Sequence, residues 1–350
     1  MPEPAYRFLS LGAGVQSTTL LILSAEGTLP KIDGAIFSDT GWEPRAVYDH
    51  LDRLEEEVAK PADIPIYRVS SGNIRSDALD PEARFAQMPL YVRAPDGGDG
   101  MLRRACTDEY KVTPIKAKVR QLLGYPHPAR IPTGTFAEQW IGISIDEASR
   151  AARMSNDVQY MRSHFPLMFM RGGTNPRGGG WTRNDCTRYL TTRGFPETPK
   201  SACIGCPYTG NARWRRLRDT CACGHHRDEH SRFANGWACA HLHNPGASDA
   251  LADVCTCPGF RNPEWTDAVD FDHRIRHGNA RAIANGTPLN GEAFLHRSRL
   301  PLDEAPIDRV TRNEWAARQT DVFDQIADTE AEADDRGCSP WVCRGEDDDE

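Results

Sequence analysis

Apolar residues along the chain come in short blocks separated by polar, Gly-rich turns. Residues 6–9 form a brief apolar run that enters the Gly/Ser stretch 12–17, and a helical pattern follows over 18–26. A second apolar run at 33–37 ends in Ser38-Asp39-Thr40-Gly41-Trp42-Glu43. Residues 44–60 then set Val47, Leu51, Leu54 and Val58 on one helical face, and 64–69 supply a third strand. Further on, 111–123 and 182–192 read as helices and 140–144 as a strand, with Gly-rich surface loops at 94–100 and 172–180. Strand, loop, helix, strand in repetition predicts an α/β fold on a doubly wound, mostly parallel sheet, whose ligands collect beyond the carboxyl ends of the strands.

The rhythm breaks over 220–261, which is poor in aliphatic residues and dense in Cys and His. The flanks, Trp214-Arg215-Arg216-Leu217 before it and Pro263-Glu264-Trp265 through Phe271-Asp272 after it, read as halves of one helical segment into which a small module is inserted. The expected organisation is a nucleotide-binding domain over 1–219 plus 262–300, a Cys/His-rich insert at 220–261, a C-terminal helix within 301–329 (from residue 307 to about 326), and a disordered acidic tail at 330–350.

Composition narrows the classes. The 350 residues, 39% hydrophobic, suffice for one large α/β domain with an addition. There is no apolar segment of membrane-spanning length and no signal-peptide pattern at the start, so a cytoplasmic protein with no membrane partner is expected. The net charge of −8 is concentrated in the acid-rich runs 321–335 and 346–350. Without them the body is close to neutral, which argues against wrapping duplex nucleic acid and leaves small anions as ligands. Eleven cysteines without a secretory signal point to metal or redox chemistry.

Two kinds of site follow. A Gly/Ser loop between a strand and a helix exposes unpaired N–H groups at the helix start, a phosphate site whose candidates are Ser10, Gly12, Gly14, Gln16 and Ser17. The loop matches neither G-x-x-x-x-G-K-[ST] nor G-x-G-x-x-G. Cys203-Ile204-Gly205-Cys206 is a C-x2-C turn able to aim two thiolates at one metal, with Cys106 and Cys186 as the candidates to complete the set. The insert offers Cys221, Cys223, His225, His230, Cys239, His241, His243, Cys255 and Cys257. From these a structural zinc on Cys223, His230, Cys239 and Cys257 is expected, since so apolar-poor a segment has little else to fold it.

The loop resembles that of the adenine-nucleotide alpha-hydrolase superfamily, S-G-G-x-D-S, with Gln16 in place of Asp, and within it the string Leu9-Ser10 then Gly14-Val15-Gln16 is similar to phosphoadenylyl-sulfate (PAPS) reductases. The same family is suggested by five further features. These are Asp39-Thr40-Gly41, the segment Cys106 through Lys111, the stretch Gly142 to Arg150 with Ser144 in place of an arginine, the C-x2-C turn Cys203 to Cys206, and the two helical flanks of the insert. The strings Trp181-Thr182-Arg183 and Phe294 to Arg299 resemble phage-encoded members. The likeness, to phage-type members, covers residues 6–277 without the insert.

It implies an oxidoreductase acting on a sulfur group, with an adenine nucleotide (PAPS or ATP) as substrate and a thioredoxin-like reductant as partner. It also implies nucleotide contacts from Asp39, Thr40, Gly41 and Arg150 or Arg153, and a [4Fe-4S] cluster on Cys106, Cys186, Cys203 and Cys206, although zinc suits the same thiolates. Lys111 would act in catalysis, and Cys338 on the tail would be the nucleophile or, with Cys343, a relay dithiol. The family's E-C-G-[IL]-H string is absent. Asp39 and Thr40 also serve as helix caps, and His296 and Arg297 are further candidates for the crevice. The alternative is a sulfur-transfer enzyme modifying nucleic acid, of the DNA phosphorothioation or tRNA-thiolation type. A third possibility is a metal-folded binding protein that has lost the chemistry.

Overall fold

The computed structural model describes residues 3–83, 88–154, 158–174, 178–229, 255, 257, 259–279, 289, 291–311 and 314–315. In chain order the elements are β1 (Tyr6–Ser10), α1 (Val15–Ala25), β2 (Gly34–Asp39), α2 (Arg45–Leu54), β3 (Ile66–Ser70), α3 (Ile74–Leu79), β4 (Tyr91–Arg93) and β5 (Asp99–Met101). They continue as α4 (Thr113–Leu122), β6 (Ala137–Ile141), α5 (Ala148–Ala152), β7 (Met161–His164), α6 (Arg183–Thr192), α7 (Asn211–Asp219), α8 (Pro263–Arg274) and β8 (Glu292–Phe294).

Five strands form one sheet in the order β3-β2-β1-β6-β7, and every pair in it is parallel. The order reverses direction between β1 and β6, so the crevice above the carboxyl ends of these two strands is the topological switch point. Alternation along each strand explains the apolar runs in the sequence, because both faces are covered. Leu9, Ala35, Phe37 and Trp140 pack on one side with α1, α2 and α6, whereas Phe8, Ile36, Ala137 and Ile141 pack on the other with Val112, Ile115 and Val119 around α4. From Gln16 to Ser24, α1 is buried on every side, as expected of a helix without a charged face.

A third core lies beyond this sheet. It joins Trp42, Cys203, Cys206, Trp214, Phe271 and Leu295. Beside it β4, β5 and β8 make a small antiparallel sheet in the order β5-β4-β8. The surface loop expected at 94–100 is the tip of the β4–β5 hairpin, closed by Ala94 N–H to Gly98 O at 2.9 Å. Residues 301–311 run as turns where the C-terminal helix was expected to begin. The rest of that helix is, beyond 314–315, outside the described residues, as are the tail, Cys338 and Cys343. Among the described residues no helix is long and apolar enough to cross a membrane.

Two histidines are buried as structural groups. His50 meets Thr18 Oγ1 at 3.1 Å and the edge of the Phe195 ring, and burial lowers its pKa to about 4. His296 contacts Asn211 Oδ1 (3.0 Å) and Ser298 Oγ (2.8 Å), and burial likewise lowers it to about 4. His296 thus belongs to the third core and does not reach the switch-point crevice. A histidine whose folded pKa lies below its unfolded value contributes no loss above about pH 6.5, and stability falls as pH drops from there toward about 4. At pH 5 each is expected to cost about 1–2 kcal/mol, lowering Tm by roughly 3–6 °C in total. Thermal melts from pH 7.5 to 4.5 check this, and His50→Gln with His296→Asn should flatten the pH dependence.

Candidate functional site

The loop after β1 is shaped by its own residues. Ala13 takes a left-handed conformation (φ 55°), Gly14 is extended, and α1 starts at Val15. Ser17 Oγ donates to Gly14 O at 3.2 Å and accepts from Gly14 N–H at 3.3 Å, locking the turn. The first turn of α1 contains no acid of its own, so its outward N–H groups present partial positive charge to the loop.

A pocket opens there, lined by Ser10, Gly12, Gly14, Gln16 and Ser17 from the loop and by Gly142 from the end of β6. Gly142 fits because a Cβ would lie 2.7 Å from Ser17 N and 3.0 Å from the Gln16 carbonyl carbon. Three cations and one carboxylate also line it: Arg150 on α5, Arg183 at the start of α6, Lys200, and Glu147. Of these only Arg150 was expected. Its neighbour Arg153 is exposed, bonded to Ser149 O. Arg183 ends the string Trp181-Thr182-Arg183 that precedes α6, whereas Lys200 and Ser201 belong to no motif.

Gln16 has a definite role. Its Nε2 donates to Glu147 Oε2 at 2.7 Å and to Ser144 Oγ at 3.3 Å, and Arg150 pairs with the other Glu147 oxygen. An aspartate at 16 would set a second carboxylate against Glu147 without a donor, so the amide and Ser144 form one internally consistent set.

Asp39, Thr40 and Gly41 do not line this pocket. Asp39 caps the turn, accepting from Gly41 N–H (2.7 Å) and Tyr48 Oη (2.8 Å). Gly41 is left-handed (φ 72°) and packs on Asn73. One residue of the string, Thr40, faces a second cavity instead. Thr40 lines it together with Cys106, Lys111, Cys203 and Cys206. Thr40 Oγ1 is 3.3 Å from Cys203 Sγ and donates to Glu43 Oε1 at 3.0 Å. Lys111 Nζ lies 3.8 Å from the same carboxylate, both side chains being almost wholly buried. Glu43 Oε2 has no hydrogen-bond partner among the described residues. Trp42 seats the cysteine turn: its carbonyl accepts from Ile204 N–H at 2.9 Å, and its ring lies flush on Gly205, whose Cβ would sit 2.1 Å from it.

Cys186 is elsewhere. On α6 it is fully buried in the core with Leu9, Leu20 and Leu190, where burial pushes its thiol up to about 12 against the opposing hydrogen bond with Thr19. A four-thiolate cluster on Cys106, Cys186, Cys203 and Cys206 therefore does not fit. Three of those cysteines share a cavity, and the fourth is a packing residue of another core. Cys186 and Leu190, four apart on α6, were the legible sign of a core face.

The insert's described cysteines gather as well. Cys221, Cys223 and Cys257 have ligand atoms within 4.8 Å of one another, as do Cys223, His225 and Cys255. This Cys221, Cys223, Cys255, Cys257 cluster could hold a metal ion. Burial raises the Cys221 thiol, but N–H bonds from Arg261 and Cys223 and the thiols of Cys257 and Cys223 outweigh it and lower the pKa to about 7. Both members of each C-x-C pair converge, where one from each, Cys223 and Cys257, is expected from the sequence. Its other two ligands, His230 and Cys239, are outside the described residues.

The pocket and the thiol cavity are joined by one segment: Lys200 and Ser201 line the first, Cys203 and Cys206 the second. No family model matches the chain, and no curated protein matches it.

Proposed function

We propose that the protein binds an adenine nucleotide by its phosphates at the switch-point pocket and carries out sulfur chemistry, of the PAPS-reductase type, at the neighbouring thiols. The observation that carries this is the continuity of residues 200–206, which link a cation-lined anion pocket to a cavity of three cysteines. Helix N–H groups with Arg150, Arg183 and Lys200 suit a ligand bearing more than one negative group. In the reaction the thiolate of Cys338, the nucleophile that the resemblance implies, attacks the sulfuryl sulfur: an S–S bond forms as a thiosulfonate on the cysteine, the bond from sulfur to the nucleotide's phosphate oxygen breaks, and the nucleotide leaves. A dithiol reductant of thioredoxin type then releases sulfite and is itself oxidised to a disulfide. Lys111 and the loop amides would take up the developing charge.

Cys106, Cys203 and Cys206 suit three corners of an iron–sulfur cluster, with the Lys111 and Arg104 cations beside them to offset its charge. Such a cluster would supply electrons or one open iron to the sulfur. Cys221, Cys223, Cys255 and Cys257 of the insert we take as a separate zinc site. Both sets need reduced thiols, which favours the cytoplasm.

The test is sulfite release from PAPS with reduced thioredoxin, under anaerobic conditions. Sulfite formation that is lost in Cys203→Ser supports the reading. Pyrophosphate release from ATP that depends on added DNA or tRNA, without sulfite, would replace it with the sulfur-transfer alternative.

A further inference from the structure

We infer that the metal at Cys221, Cys223, Cys255 and Cys257 is a clasp that holds the seat of the thiol cavity in place. The inference rests on the zinc reading above and adds a task to it. Cys221 Sγ and Cys257 Sγ lie 3.5 Å apart, close to the ~3.8 Å edge of a tetrahedron with ~2.3 Å zinc–sulfur bonds. Arg261 N–H points at Cys221 Sγ from 3.3 Å, the outer-shell bond that orients a ligating thiolate. His225, near Cys223 and Cys255, is the alternative donor should one thiol stand off.

From this knot a continuous line of contacts runs to the cavity. The knuckle is tied to the chain entering α8 by Ala222 N–H to Arg261 O at 2.7 Å, and Asn262 Nδ2 donates to Thr220 O at the end of α7. Asn262 also caps α8 through Trp265 N–H (3.0 Å), and the Trp265 ring meets the buried Trp214 of α7 edge-on. One turn further, Asp267 accepts from Trp42 Nε1 at 2.6 Å, and Phe271 packs on the Trp42 ring at 4.8 Å. Trp42 is the surface on which Gly205 and Ile204 rest. Freeing the four cysteines unties α7 from α8, and the Trp42 seat loses the partner that fixes its ring.

The experiment compares the protein as purified, after zinc removal by a chelator, and after zinc is restored, each pulsed with iodoacetamide and mapped by peptide mass spectrometry. Metal analysis should give one zinc per chain, lost in Cys221→Ser with Cys257→Ser and retained in Cys106→Ser. Zinc removal should speed labelling of Cys203 and Cys206 by about tenfold, reversibly, through local opening. Cys186, in the other core, should stay unlabelled throughout. Absence of zinc, or iron in its place, overturns the zinc reading and the clasp with it. Zinc present but with Cys203 and Cys206 labelled at the same rate when it is removed overturns the clasp alone. Simultaneous exposure of Cys186 would mean global unfolding and likewise contradict a local clasp.

Discussion

Gly142→Ala is expected to weaken nucleotide binding by 10- to 100-fold while leaving the fold intact. A methyl at this position would lie 2.7 Å from Ser17 N and 3.0 Å from Gln16 backbone and side-chain carbons. Those atoms are the first turn of α1, fixed from behind by a core with no slack, so the loop must move outward and its N–H groups lose their common focus. Overpacking of this kind costs about 1–3 kcal/mol, and each ~1.4 kcal/mol is a factor of ten in affinity. Calorimetric titration with adenosine diphosphate measures it. Gly100→Ala is the control, since its Cβ would meet only Val92 at an ordinary 3.8 Å on an exposed strand. Equal affinities in wild type and Gly142→Ala would remove the loop amides from the binding site.

The second large effect is expected at Gly205. Here a Cβ would overlap the Trp42 ring at 2.1 and 2.5 Å, and the ring cannot yield, because Asp267 holds its Nε1 and Phe271 covers its face. Gly205→Ala should destabilise the protein by roughly 2–3 kcal/mol and displace Cys203 and Cys206 from the cavity, abolishing any reaction that uses both. Trp42→Leu is destabilising alone but makes room, so the double variant should be more stable than the sum of the single effects predicts. Strict additivity in denaturant melts would show that glycine and ring do not press on each other.

Much of the parallel sheet was legible because its strands are buried on both faces. The runs at 6–9 and 33–37 have nowhere to lie but inside a covered sheet, and Val47, Leu51 and Leu54 mark the face of α2 that covers it. The small sheet was not legible. Three-residue strands show no alternation, and β8 pairs with β4 from some two hundred positions away. In the pocket, loop glycines and serines announce themselves through local backbone chemistry, whereas Arg183 and Lys200 arrive by tertiary folding from helix and loop starts that look like any other. Asp39-Thr40-Gly41 shows the limit of a matched string. The residues are at the end of β2 as expected, yet Thr40 meets the cysteine turn, Asp39 caps its own turn, and none of the three lines the phosphate pocket. Cysteine spacing found the C-x2-C turn, but what marks Cys186 as a residue of the opposite core is its i, i+4 pairing with Leu190 on α6, a signal that cysteine spacing does not carry.

Hydrogen exchange over the peptide spanning residues 9–18, with and without saturating adenosine 3′,5′-bisphosphate, reads the nucleotide site most directly. Amides at the start of α1 should exchange at least about tenfold more slowly when the ligand is bound, with no change in the 94–101 hairpin. Protection confined to some other segment, with the loop unchanged, would contradict a nucleotide held at the β1–α1 turn.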